Sequence, residues 1–113
     1  MSFLLIERPD DSFSDEALMK AIGTAIGLTK VQRTTRVCLT LGHPVTEFIG
    51  WLDGQEVRIG GDLLLDIPVH YSAHVCVTGR PTRRRARLRS SLLAKMEAAG
   101  LHVVTWPAES AEA

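Results

Sequence analysis

Asp53-Gly54 stands between two runs of strand-forming residues, Thr46 to Leu52 and Gln55 to Ile59. Asp-Gly is the dipeptide best suited to the two positive φ angles of a type I′ turn, whose twist matches that of the strands it joins. It therefore predicts a two-residue hairpin with its register set, and any fold must be built around that pair. Two further stretches carry the period-two pattern of half-buried strands. From Thr34 to Leu41, the residues Thr35, Val37, Leu39 and Leu41 share one face, and Thr34, Arg36, Cys38 and Thr40 share the other. From Val69 to Thr78, the residues Val69, Tyr71, Ala73, Val75 and Val77 oppose His70, Ser72, His74, Cys76 and Thr78.

Helical signals flank these strands. Ser14 reads as an N-cap with Asp15 and Glu16 at the positive end of the dipole; Leu18, Ile22, Ala25 and Ile26 form one stripe, and Gly27 is the stop. Gly23 and Gly27, four apart, predict close approach to another backbone, with Gly23 costing about 1 kcal/mol of helix propensity. Thr82 caps a second helix to Ala99, striped by Leu88, Leu92, Met96 and Ala99 and capped by Gly100. Phe3 to Glu7 and Leu101 to Trp106 complete the strands, and Asp62 to Ile67 is a short apolar piece that periodicity does not assign. The order β-α-β-β-β-(β)-β-α-β predicts an α+β fold, a two-layer sandwich. Its mixed or antiparallel sheet has about 5–6 strands with two helices on one face, ferredoxin-like with an inserted hairpin. Residues 1–107 are expected to form a single domain and 108–113 a flexible tail.

The chain's 113 residues suffice for one self-supporting core. Two cysteines are too few for a disulfide framework, and Phe3-Leu4-Leu5-Ile6 is too short for a secretory or membrane segment, so the expected setting is cytoplasmic with no membrane contact. Formal net charge is zero but unevenly spread. Residues 1–66 carry ten acids against six bases, whereas residues 67–113 carry seven bases against three acids.

Most of that second-half charge is one cluster. Arg80, Arg83, Arg84, Arg85, Arg87 and Arg89 fall within ten residues, at the beginning of the second helix. Cations at a helix N-terminus oppose the dipole by roughly 0.3–1 kcal/mol each, and the i,i+4 pairs Arg83/Arg87 and Arg85/Arg89 add about 0.2–0.5 each. An anion is expected to offset this. Guanidinium forks beside free helix amides suit phosphate, which points to nucleic acid or another phosphate-rich ligand. Alternatively Asp62, Asp66, Asp10 or Asp11 folds over the cluster, or the acids belong to a protein partner. No aromatic residue interleaves the arginines, so the sequence offers little for base stacking.

Val75 to Val104, VCVTGRPTRRRARLRSSLLAKMEAAGLHVV, is similar to the opening β-α-β unit of BRCT domains over about a quarter of the chain. The resemblance implies phosphate contact by the hydroxyl and backbone at Thr78 and Gly79. The later lysine and the third helix of that family have no counterpart, so the likeness is supersecondary.

The histidines do not assemble readily. His70 and His74 stand about 13 Å apart on a strand, too far for one ion, and His74, Cys76 and Cys38 meet only if the register is favourable. No metal or cofactor is expected. If the Thr34-to-Thr40 polar face lies beside Ser72, His74, Cys76 and Thr78, the sheet has an open face suited to a homodimer or another protein contact. No catalytic motif occurs, and the expectation is a non-enzyme with no catalytic residues. The leading reading is a small binding protein contacting nucleic acid or phosphate through Thr78, Gly79, Arg80, Arg83, Arg84, Arg85, Arg87 and Arg89. Its rival is an interaction module for an acidic protein: an inhibitor, immunity or adaptor protein, associated with a phage or mobile element.

Overall fold

Asp53 and Gly54 both adopt positive φ, 52° and 72°, as a type I′ turn requires. The computed structural model describes residues 3–37, 42, 44–61 and 71–106. In chain order these form β1 (Phe3–Glu7), α1 (Asp15–Ile26), β2 (Thr29–Val37), β3 (Pro44–Leu52), β4 (Gln55–Gly61), β5 (Ala73–Val77), α2 (Arg83–Ala98) and β6 (His102–Trp106). The described strands make one antiparallel sheet in the order β2-β3-β4-β5-β1-β6, so the fold is α+β. The Asp62–Ile67 piece, Val69 and His70, Cys38 to Leu41 and the 108–113 tail lie outside the described residues.

Register sorts the side chains. Leu4 pairs with Val75, Ile59 with Val75 and Val57 with Val77, so these apolar residues share a side of the sheet. Leu18, Ile22 and Ile26 of α1 and Leu88, Leu92 and Met96 of α2 join them in one buried cluster. Each such side chain contributes about 1.5–3 kcal/mol by leaving water. The helix signals operate as expected. Ser14 Oγ accepts from Ala17 N at 3.1 Å, and Gly27, at φ 73°, closes α1 with its N–H toward the Gly23 and Thr24 carbonyls. Arg8 clasps the β1 end to the start of α1: it bonds the Phe13 carbonyl at 2.7 Å and pairs with Asp15. No helix among the described residues is long and apolar enough to cross a membrane.

Three local expectations need correcting. β2 starts at Thr29, five residues before the alternating run, and residues 71 and 72 precede rather than open β5. The early half of β2, Thr-Lys-Val-Gln-Arg, hides its strand character because it is a sheet edge with Val31 still 48% exposed. A register shift between Thr29 and Gln32, where Lys30 takes φ 53°, further breaks the period. At the far end of α2 the cap is Ala99, and Gly100 takes the left-handed conformation one residue later. The strand–helix–strand unit β5-α2-β6 also differs from two adjacent strands, because β1 lies between β5 and β6.

The close backbone approach occurs at Gly50 rather than at Gly23. A Cβ on Gly50 would lie 2.4 Å from Leu28 Cγ and 2.9 Å from the Thr29 carbonyl, whereas one on Gly23 meets only Ile59 Cδ1 at 3.7 Å. Gly50→Ala is therefore expected to lose roughly 1–3 kcal/mol or more, and Gly23→Ala to gain up to about 1 kcal/mol, in urea unfolding. Equal midpoints for the two variants would contradict this assignment of the tight contact.

Candidate functional site

The six arginines leave the start of α2 in different directions, and the tertiary structure divides them. Thr82 caps the helix, its Oγ1 accepting from Arg85 N at 3.1 Å, and the first turn contains no acid. Arg85 lies one turn before Leu88 and turns toward the sheet, where its Nε donates to the Val77 carbonyl at 2.7 Å. Arg84 reaches the hairpin turn: its guanidinium donates to the Asp53 carbonyl, and its Nε lies 3.7 Å from Asp53 Oδ2. Both partners of that pair are well exposed, so water screens it and much of the Arg84 charge remains outward-acting. Arg89 is half-buried. Arg80, Arg83 and Arg87 are exposed, and their guanidinium groups make no ion pair or hydrogen bond among the described residues.

Internal neutralisation is thus partial, and it comes from an acid the sequence did not single out. Among the described residues, Asp53 pairs with Arg84 of the cluster. Asp10 instead accepts from Ser12, 2.8 Å from its N–H, in a local turn, while Asp62 and Asp66 lie outside the described residues. At the helix start, the Arg85 and Ala86 amides are taken up by the Thr82 hydroxyl and carbonyl. Those of Arg83 and Arg84 belong to the helix positions that lack an intrahelical acceptor.

Between the Asp53-Gly54 turn and the β5-α2 connection runs an open groove of about 570 Å³. It is lined by Trp51, Gln55, Glu56, Thr78, Arg80 and Arg84. Gly79, at φ 103°, also borders it, so four of the residues expected from sequence meet there: Thr78, Gly79, Arg80 and Arg84. Arg83, Arg85, Arg87 and Arg89 do not line it. Trp51 had no signal in the sequence, since it lies 29 positions before Arg80 and shares a groove with Arg80 and Arg84 only in the tertiary structure. It is 43% exposed.

Thr78 does not present a free hydroxyl to this groove. Its Oγ1 donates to Glu56 Oε2 at 2.8 Å, and its backbone N–H donates to the Glu56 carbonyl at 3.1 Å. Arg58 Nε adds a bond to the same carboxylate at 3.1 Å and its Nη1 reaches Glu47 Oε1 at 3.5 Å, with Glu47 only 1% exposed. The Thr78 hydroxyl, assisted by Arg58, holds the Glu56 carboxyl below its ordinary 4.5 against the opposing effect of burial. Glu56, which lines the groove, is therefore ionised at neutral pH and paired with Arg58.

The histidine strand is a different place. β2 and β5 are separated by β3 and β4, and Ser72, His74 and Cys76 are buried. His74 stacks edge-on with Phe3 and Tyr71 at 5.8 and 6.0 Å, and burial pushes the Cys76 thiol up. No group of three His, Cys, Asp or Glu side chains among the described residues is placed to hold a metal ion. Cys38 lies outside the described residues. No protein-family model, curated protein or solved structure matches the chain.

A depressed carboxyl stabilises the fold above its unfolded pKa, and that contribution disappears as pH falls through the folded one. Glu56→Gln keeps an acceptor for Thr78 but removes the titration. The stability difference between wild type and Glu56→Gln, from urea unfolding at several pH values, is expected to hold above pH 4.5 and shrink below it. A constant difference from about pH 7 to about pH 3 would remove Glu56 from the acid transition.

Proposed function

We propose that this chain is a small, non-enzymatic, cytoplasmic binding protein that takes a phosphate-rich ligand, foremost nucleic acid, at the start of α2. The observation that carries this reading is a set of exposed arginines without partners among the described residues, Arg80, Arg83 and Arg87, beside the outward-acting Arg84. They crowd the helix end that the dipole makes positive, so a bound polyanion would relieve repulsion as well as gain charge-assisted bonds. Arg80 and Arg84 would meet phosphate at the groove, and Arg83 and Arg87 would extend the binding surface along the helix. The amides of the first turn add donors of the kind that hold anions. Thr78 and Gly79 contribute by shaping the β5-α2 connection, since the Thr78 hydroxyl is already bonded to Glu56.

The scaffold reading goes with it. A ferredoxin-like two-layer arrangement, with both helices over one face, is supported by the strand order β4-β5-β1-β6 and by the core shared by α1 and α2. On that reading β2 and β3 are an addition at the β4 side, and the turn they lead into is what carries Asp53 and Trp51 to the arginines.

The test is binding of the purified chain to labelled DNA and RNA, titrated from low to physiological salt. Wild type is expected to lose affinity steeply as salt rises. Arg83→Glu with Arg87→Glu is expected to flatten the slope of log K against log salt by about 0.7 for each phosphate of a single strand that the variant no longer neutralises. Both side chains are exposed, so the variant keeps the fold. Absence of binding at low salt would overturn the nucleic-acid reading and direct attention to an acidic protein partner.

A further inference from the structure

The groove contains one large side chain that the phosphate reading does not use. Trp51 is the penultimate residue of β3 and lies opposite Glu56 of β4. Tryptophan is highly buried on average, yet this ring is 43% exposed and lines the same groove as Arg80 and Arg84. Its backbone is held on both sides. Thr29 Oγ1 donates to the Trp51 carbonyl at 2.8 Å, β4 pairs across the other edge, and the neighbouring Gly50 is wedged against Leu28 and Thr29. On a backbone so held, the indole has only its two side-chain torsions to settle when a flat ligand lies on it.

We propose that Trp51 stacks an unpaired nucleobase, so that the ligand of this groove is single-stranded nucleic acid rather than duplex. The inference rests on the nucleic-acid reading above and names the form of the ligand. Charge dictates its orientation. Of the charged residues that line the groove, Arg80 and Arg84 attract phosphate, whereas the Glu56 carboxylate, already bonded by Thr78 and Arg58, does not. The backbone therefore follows the arginines and the base lies toward β3, over Trp51. Every base offers a π-face, so stacking is tolerant of sequence, but a base inside a duplex has both faces covered by its neighbours. The volume of about 570 Å³ falls within the range of sites for small organic groups.

The experiment compares a labelled single-stranded oligonucleotide with the duplex of the same sequence by fluorescence anisotropy, at one low salt concentration, for wild type, Trp51→Ala, Trp51→Phe and Arg83→Glu with Arg87→Glu. Wild type is expected to prefer the single strand. Trp51→Ala loses about tenfold or more on the single strand with its duplex affinity unchanged, and Trp51→Phe retains part of the preference. The arginine variant instead weakens both ligands. Single-strand binding by Trp51→Ala equal to wild type, or a wild type that prefers duplex, overturns the stacking proposal while leaving the arginine reading intact. A chain that binds neither ligand overturns the arginine reading itself, and stacking with it.

Discussion

Strand β1 is paired with β5 along one edge and with β6 along the other, and its Leu4, Leu5 and Ile6 are each at most 1% exposed. Consecutive residues on a strand point to opposite faces, so three in a row can be buried only where both faces of the sheet are covered. This five-residue strand from the start of the chain is therefore the member that unites its halves. β6, the last described strand, is held in the sheet by its pairing with β1, and α2 reaches its place between two strands that β1 separates. The helix start and its arginines are positioned by that arrangement.

The groove depends on a second interaction, between the hairpin turn and α2. A type I′ turn exposes its carbonyls and, here, the Asp53 carboxylate, and Arg84 uses both. Gly54 allows the approach: a Cβ there would stand 3.1 Å from Arg84 Nη2. Arg84 thereby joins turn to helix while staying largely exposed, and Arg85 is turned to the Val77 carbonyl. The division matters for function, because a cluster paired throughout would have nothing to offer a ligand.

The polar line from Glu47 of β3 through Arg58 and Glu56 of β4 ends on Thr78, just past β5. Glu47 is buried beside Arg58, which bridges it to Glu56. Glu56 and Thr78, at one end of that line, border the groove together with Arg80 and Arg84.

Sequence reasoning reached as far as local chemistry extends. The Asp53-Gly54 turn, the Ser14 and Thr82 caps and the Gly27 stop act within a few residues, and each lies where its side chain or φ angle requires. The crowding of arginines at one helix end was equally legible, being a matter of spacing along the chain. The first residues of β2 were not, because an edge strand exposed to water needs no apolar alternation. Strand order, and with it everything that meets across the sheet, was decided by tertiary structure alone. Trp51 beside Arg84, Thr78 bonded to Glu56 and Gly50 against Leu28 all join residues distant in sequence. Such pairings follow from how the strands are ordered and the helices packed, and no local propensity of either partner encodes them.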